Sequence, residues 1–389
     1  MLRKFFLISL MVMMGSVLVV GFGIAAEPVK MGIVCELSGS GAPSGLRWER
    51  GVLMAVDEIN AAGGIMGRKI ETFSLDTRTE APVSVAAMKK AIGRKPFVVM
   101  GTVYSSSTIV NMSILQKAGI PQMTGSEAPR ITQQGNENIF RSSYHAGLGM
   151  QKVIKWITEV LKVKKIAILY ANNEFGKGGR DALVKLLEPK GVEIAADIPC
   201  EVGQADFAGE LARVERSGAD AIFIYHHEEE NARLLVQIHD LQLDKKMKVL
   251  GHVTLMTENV LALAKEAANG VRGHVGLSSE APPLKPVADR YLAKYGELPD
   301  HNFFKGYVAT YVVKAVVDET KSFDQQKFRD YLHNRTLCVK DHPGLLMDIY
   351  YDENGDIDRE SFLVTVQNQA QAITGILDPL NPERFEKCK

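Results

Sequence analysis

Hydroxyl groups gather at two points where a short apolar run gives way to a helical stretch. Tyr104-Ser105-Ser106-Ser107-Thr108 follows the run Phe97–Gly101. Backbone N–H groups in the first turn of a helix have no partner inside it, and the helix dipole favours negative charge there, so hydroxyls beside them suit a carboxylate. One N-cap accounts for one hydroxyl; four in succession at a strand's carboxyl end point to ligand contact. Thr124-Gly125-Ser126-Glu127-Ala128-Pro129 repeats the arrangement after Ile120–Thr124. Glu127 adds a charge that could neutralise an ammonium or accept from hydroxyls, with a plain loop acid as the competing reading. A third cluster, His226-His227-Glu228-Glu229-Glu230, opens a helix after Ala221–Tyr225. It lacks the HExxH spacing of a zinc site, and acids in a first helical turn are favoured by the dipole alone. His227 is read as a hydrogen-bonding group at a cleft, and no metal is expected. Gly39-Ser40-Gly41-Ala42-Pro43-Ser44-Gly45 stands between strand and helix, but Ser44 replaces the third glycine of a dinucleotide loop. That loop, with Ser44, suits a polar or anionic ligand; no cofactor is expected. There is no G-x-S-x-G elbow for a hydrolase and no calcium-loop glycine in Asp352–Asp358.

The elements that must position these groups alternate. Strand patterns at Val29–Leu37, Lys69–Asp76, Phe97–Gly101 and Ile120–Thr124 are separated by helical patterns at Trp48–Ala61, Pro82–Ile92 and Thr108–Ala118. The order restarts with a helix at Gly149–Leu161 and strands at Lys165–Tyr170, Val192–Pro199, Ala221–Tyr225 and Lys248–Val253. Strand-helix alternation implies parallel sheets with right-handed crossovers. The fold class is therefore α/β, with two doubly wound parallel-sheet lobes and a cleft between them. Later helices at Val287–Tyr295 and Phe303–Thr320, and strands Leu345–Tyr351 and Ser361–Gln367 paired around Asn354-Gly355, are too few for a third core. They are expected to return to the first lobe and finish on the second, making a hinge of several crossovers. The boundaries read as 27–143 with 275–351 for lobe 1, and 144–274 with 352–389 for lobe 2.

The 389 residues carry 46 basic and 46 acidic side chains, which argues against a nucleic-acid binder. Residues 1–26 read as a cleaved signal peptide: Arg3 and Lys4, an apolar run from Phe5 to Ile24, then Ala25-Ala26 before Glu27-Pro28. The competing reading is an uncleaved anchor. Export to the periplasm is expected. Four cysteines, at 35, 200, 338 and 388, are too few for a disulfide scaffold and have no zinc spacing.

Met31-Gly32-Ile33-Val34 running into Leu37-Ser38-Gly39, the stretch Ala55-Val56-Asp57-Glu58-Ile59-Asn60-Ala61-Ala62-Gly63-Gly64-Ile65 with Gly67, Ser105–Thr108, Ala128-Pro129, Phe175-Gly176 and Gly218-Ala219-Asp220 together resemble the type I periplasmic binding proteins. The likeness is to the leucine/isoleucine/valine-binding branch that serves ATP-driven (ABC) importers, and it spans essentially the whole chain after residue 26. It implies two lobes that close on a small ligand without catalysis. It also implies a ligand carboxylate held by Ser105 and backbone N–H groups of 125–127, and an ammonium held by the Gly125 carbonyl, a hydroxyl at 127 and a second-lobe acid. Phe175 and His227 would cover the ligand. Three positions depart from the pattern: Glu127 stands for the hydroxyl, His227 for a tyrosine, and the second-lobe acid falls near Val253. Either Glu127 supplies the missing charge, or the ligand has no α-amino group and His227 with Arg47 or Ser105 holds an aromatic or aliphatic carboxylate. The family's cleft disulfide does not carry over, since Tyr104 takes one cysteine position; Cys338 and Cys388 remain open as partners.

The expectation is a monomeric solute-binding protein that delivers an amino acid or similar small polar molecule to a membrane permease. Its site would comprise Ser44, Tyr104, Ser105, Ser106, Gly125, Ser126, Glu127, Phe175 and His227. A sensory receptor of the same fold and a secreted hydrolase are the alternatives.

Overall fold

A computed structural model describes residues 27–389; the expected signal peptide, 1–26, lies outside the described residues. Strands Ile70–Asp76, Val29–Cys35, Val98–Met100, Gln122–Thr124 and Ile139–Arg141 lie side by side in that order, all parallel. Helices cover both faces of such a sheet, so its central strand Val29–Cys35 is nearly continuously apolar; Met31, Ile33, Val34 and Cys35 are fully buried. The second sheet runs Glu193–Cys200, Lys165–Ala171, Ala221–Tyr225, Lys248–Gly251 and Arg272–Val275 in parallel. Ser361–Gln367 and Ala370–Leu377 extend it as antiparallel strands. Strand order reverses beside Val29–Cys35 in one sheet and beside Lys165–Ala171 in the other. Ligands of open α/β sheets bind outside the carboxyl ends of the strands at such a reversal. The hydroxyl and histidine clusters follow those ends.

The chain passes between the lobes at 142–145, 276–284 and 359–360, and the three passages touch one another. Arg359 N–H donates to Tyr144 Oη (3.1 Å), and a Cβ placed on Gly276 would lie 3.3 Å from both Arg359 Nη2 and the Tyr144 ring. The segment 352–389 does not stay with lobe 2 as expected. The Asn354-Gly355 turn joins Ile349–Tyr351 to the short strand Ile357–Asp358, and Arg335–Leu337 completes that small sheet. Ser361–Gln367 is not its partner, because the chain leaves lobe 1 at Arg359. Phe140 packs edge-on against Tyr351, which keeps the small sheet on lobe 1. The tail returns there too: Thr336 Oγ1 donates to Arg384 O (2.8 Å), and Cys338 and Cys388 form a disulfide across 50 residues.

Helices Ala42–Ala61 and His301–Thr320 form the most intimate helix contact of lobe 1. A Cβ on Gly51 would lie 2.1 Å from Phe303 O, and one on Gly306 would lie 2.3 Å from Trp48 O. Two glycines let the backbones meet, and the contact aims the first turns of the later helix at the cleft. Gly306→Ala is expected to cost about 3 kcal/mol, the upper range for overpacking, because the obstacle is rigid backbone. The urea midpoint measures it; a loss below 0.5 kcal/mol, within the ~0.5 kcal/mol of ordinary surface changes, would refute the contact.

Candidate functional site

Seven of the nine expected site residues line one cavity between the lobes. Lobe 1 contributes Ser44, Tyr104, Ser105, Gly125 and Glu127; lobe 2 contributes Phe175 and His227. Ser105 Oγ accepts from the N–H groups of Glu127 (3.3 Å) and Ala128 (3.1 Å). Its own proton is left to donate outward. Glu127, buried at the centre, accepts from Ser143 Oγ (2.6 Å) and Lys305 Nζ (2.7 Å) at Oε1, and His252 Nε2 lies 2.7 Å from Oε2. Burial alone would raise its pKa; the charges of Lys305 and His252 outweigh that and hold the carboxyl well below the ordinary range. Lys305 Nζ also lies 3.4 Å from Gly125 O and 3.4 Å from Asn302 Oδ1. Asp300 starts this helix by accepting from Phe303 N–H (3.0 Å), and helical spacing then sets His301 and Lys305 on one face.

On lobe 2, Asn173 caps the helix Glu174–Leu187, accepting from the N–H groups of Phe175 and Gly176, and its Nδ2 donates to His227 Nε2 (2.8 Å). Burial pushes the His227 imidazole down to about 3, so it is neutral. The ring is sandwiched between Tyr104 (centroids 4.4 Å, 7° between planes) and Phe175 (4.7 Å, 26°). Further bonds join the lobes. Tyr104 Oη donates to Glu229 Oε2 (3.1 Å), Ser44 Oγ to Glu228 Oε2 (3.1 Å), and Asn302 Nδ2 to Glu228 Oε1 (3.0 Å). Burial pushes Glu228 up to about 7. His227, Glu228 and Glu229 bring one ligand atom each within 4.8 Å, but all three already serve these contacts.

The same central residues, Glu127, His301 and Lys305, line a second cavity on the hinge side. Tyr144, His145, His252, His274 and Arg359 complete its wall. Each cavity holds only about 20 Å³, against the ~300–1,000 Å³ of typical ligand sites. An organic solute therefore enters by hinge opening.

Two expected residues fall elsewhere. Ser106 is half-buried and lines neither cavity. Ser126 Oγ lies 2.6 Å from Thr108 Oγ1 and donates to Val103 O (2.9 Å), while Thr108 Oγ1 is 2.6 Å from Thr102 Oγ1. Much of the hydroxyl run thus locks two loops together, because buried hydroxyls must find partners. Arg47 faces away from both cavities, paired with Glu297 (2.9 Å) and Asp300 (3.5 Å). The second-lobe acid sought near Val253 is replaced by His252, reaching Glu127 from across the cleft. The cleft serines Ser44, Ser105 and Ser143 bond to carboxylates and backbone.

The sequence reading missed Lys305, Ser143, His252, His274, Arg359 and Arg141. Arg141 is fully buried and donates to Asp356 Oδ1 (2.5 Å), Ser126 O (2.5 Å) and Ala128 O (2.7 Å). It clamps the loop that carries Glu127. Only Asp300, an acid before an apolar helix, offered a local signal, that of an N-cap ahead of Lys305.

Two α/β lobes, three hinge passages and a cleft furnished from both sides define a two-lobe binding protein. Residues 28–371 match the periplasmic binding protein family, and the chain belongs to it. It is 26% identical over 342 residues to the Leu/Ile/Val-binding protein BraC3 of Rhizobium johnstonii, covering 87% of this chain and 91% of that one. Among solved structures, the branched-chain amino acid transporter substrate-binding protein LivJ of Streptococcus pneumoniae, in complex with isoleucine, superposes with a TM-score of 0.80 at 23% identity, covering 90% of this chain and 100% of that one. An ABC-transporter solute-binding protein of R. palustris, in complex with benzoate, superposes with a TM-score of 0.81 at 19% identity, covering 90% and 97%.

Proposed function

We propose that this chain is an extracytoplasmic solute-binding protein of an ABC importer, which takes a small polar organic solute between its lobes and presents the closed form to a membrane permease. The observation that carries this reading is the convergence of Ser105, Glu127, Phe175 and His227 on one cavity from both lobes. Groups from two lobes hold a solute together only when the lobes are closed. The solute therefore binds the closed form better and shifts the hinge equilibrium toward it. Ser105 and the lobe 1 loops receive the solute first; Phe175 and His227 then cover it. The match to the periplasmic binding protein family and the expected signal peptide support a periplasmic location, and the chain is read as acting as a monomer.

Mass spectrometry of what copurifies, followed by thermal unfolding against amino acids and organic acids, tests the reading. A solute at 100 times its dissociation constant is expected to stabilise the protein by about 2.7 kcal/mol. Finding neither a copurified solute nor a stabilising compound would overturn it.

A further inference from the structure

Arg359 lies in the hinge, 2% exposed, and lines the hinge-side cavity. Its Nε has no hydrogen-bond partner, and Nη2 reaches only Ser142 O at 3.5 Å. Among the described residues no carboxylate lies within 4.0 Å of it, so this guanidinium is buried without a counter-charge. Leaving a charge so placed costs several kcal/mol unless something pairs with it. Three other buried atoms of the same cavity also lack a hydrogen-bond partner among the described residues: His274 Nε2, His301 Nδ1 and Glu127 Oε2, the last of them 2.7 Å from His252 Nε2. Lys305 adds a second cation, and the only carboxylate in that wall is Glu127, already shared by Lys305, His252 and Ser143. The cavity wall therefore carries two cations, Arg359 and Lys305, against one carboxylate.

The acceptors of the cleft are, by contrast, mostly engaged, although Glu127 Oε2 and Glu229 Oε1 lack a hydrogen-bond partner among the described residues. The Lys305 ammonium sits among Glu127 Oε1, Gly125 O and Asn302 Oδ1. A solute ammonium brought to that seat would meet a like charge. On the outer side, Glu228 is filled by Ser44 and Asn302, and Glu229 accepts from Tyr104.

From these two observations, and resting on the solute-binding reading above, we propose that the solute is an organic anion without an α-ammonium group, whose carboxylate pairs with Arg359 at the hinge beside Lys305 and His274. The guanidinium fork offers two parallel N–H donors to a carboxylate, and burial strengthens that bond. Because Arg359 stands where three hinge passages meet, the pairing also draws the passages together and favours the closed form.

Titration calorimetry with benzoate, succinate, benzamide, leucine and isoleucine tests the proposal. A carboxylate is expected to bind, with benzamide at least tenfold weaker than benzoate where benzoate is the ligand, and with leucine and isoleucine giving no heat. Arg359→Gln is expected to weaken the carboxylate at least tenfold without lowering the melting temperature of the protein alone, and Arg359→Lys to recover part of the loss. Leucine or isoleucine binding more tightly than every carboxylate would overturn the anion and leave the solute-binding reading standing. Unchanged carboxylate affinity in Arg359→Gln would overturn the site. Should the variants not fold, the unaltered protein decides the matter: no binding by either carboxylate, or benzamide binding as tightly as benzoate, would overturn the anion.

Discussion

Glu127→Gln is expected to cost about 3–5 kcal/mol of stability, the range for removing one partner of a buried ion pair. The change is nearly isosteric, so the loss is electrostatic. Lys305, 5% exposed at its side chain, keeps its charge and loses the carboxylate 2.7 Å away. Glutamine still offers an oxygen to Ser143 or Lys305, but no negative charge. The pH profile carries the sign. The folded-state pKa of Glu127 is depressed, so its contribution is complete above the unfolded value of about 4.3 and is lost as pH falls toward the folded value. Urea unfolding of the variant should therefore show a weaker acid limb than the parent protein. Adding Lys305→Met to Glu127→Gln is expected to recover most of the loss, since the ammonium left without its carboxylate is then removed as well. A single-variant loss under 1 kcal/mol, the ~1 kcal/mol ceiling of exposed pairs, would show that Lys305 is not held as the geometry indicates. If the solute is an anion, its affinity should survive Glu127→Gln; a cationic solute would lose affinity.

Arg141→Gln is expected to be comparably damaging, about 3–5 kcal/mol, and to weaken solute binding in the molecules that remain folded. Arg141 spans Asp356 of the small sheet and the carbonyls of Ser126 and Ala128, and Thr132 Oγ1 donates to Asp356 Oδ1 (2.8 Å). Removing the guanidinium leaves Asp356 buried without its main partner and frees two carbonyls of the loop that aims Glu127. Urea unfolding measures the first effect and calorimetry the second. Loss of stability with undiminished affinity would show that the loop keeps its shape without the clamp.

The periodicity of apolar runs made the two lobes legible, because parallel strands buried on both faces are short apolar runs and their covering helices repeat every 3–4 residues. It did not reveal Ile139–Arg141 or Ala370–Leu377. The former has only three residues, and the latter is mostly half-buried or exposed at the sheet edge, so neither shows a clean pattern. The hairpin dipeptide Asn354-Gly355 was legible as a turn, but its outgoing strand was not, because two residues of pairing precede the hinge passage.

Local chemistry alone determined where the cleft-facing loops begin. Serines, a glutamate and a histidine at strand ends are visible in any linear reading, and Ser44, Tyr104, Ser105, Gly125, Glu127, Phe175 and His227 do meet in one cavity. Which of those groups remain available was decided only in three dimensions. Glu127 looks like a free acid in the chain, yet Lys305, 178 residues away, takes its charge. Arg359 looks like an ordinary arginine in an acidic loop, yet the crossing of three hinge passages buries it without a carboxylate. A residue's type fixes the charge it can carry, but its partners depend on contacts between distant segments. Burial then makes each pairing, or the lack of one, worth several kcal/mol.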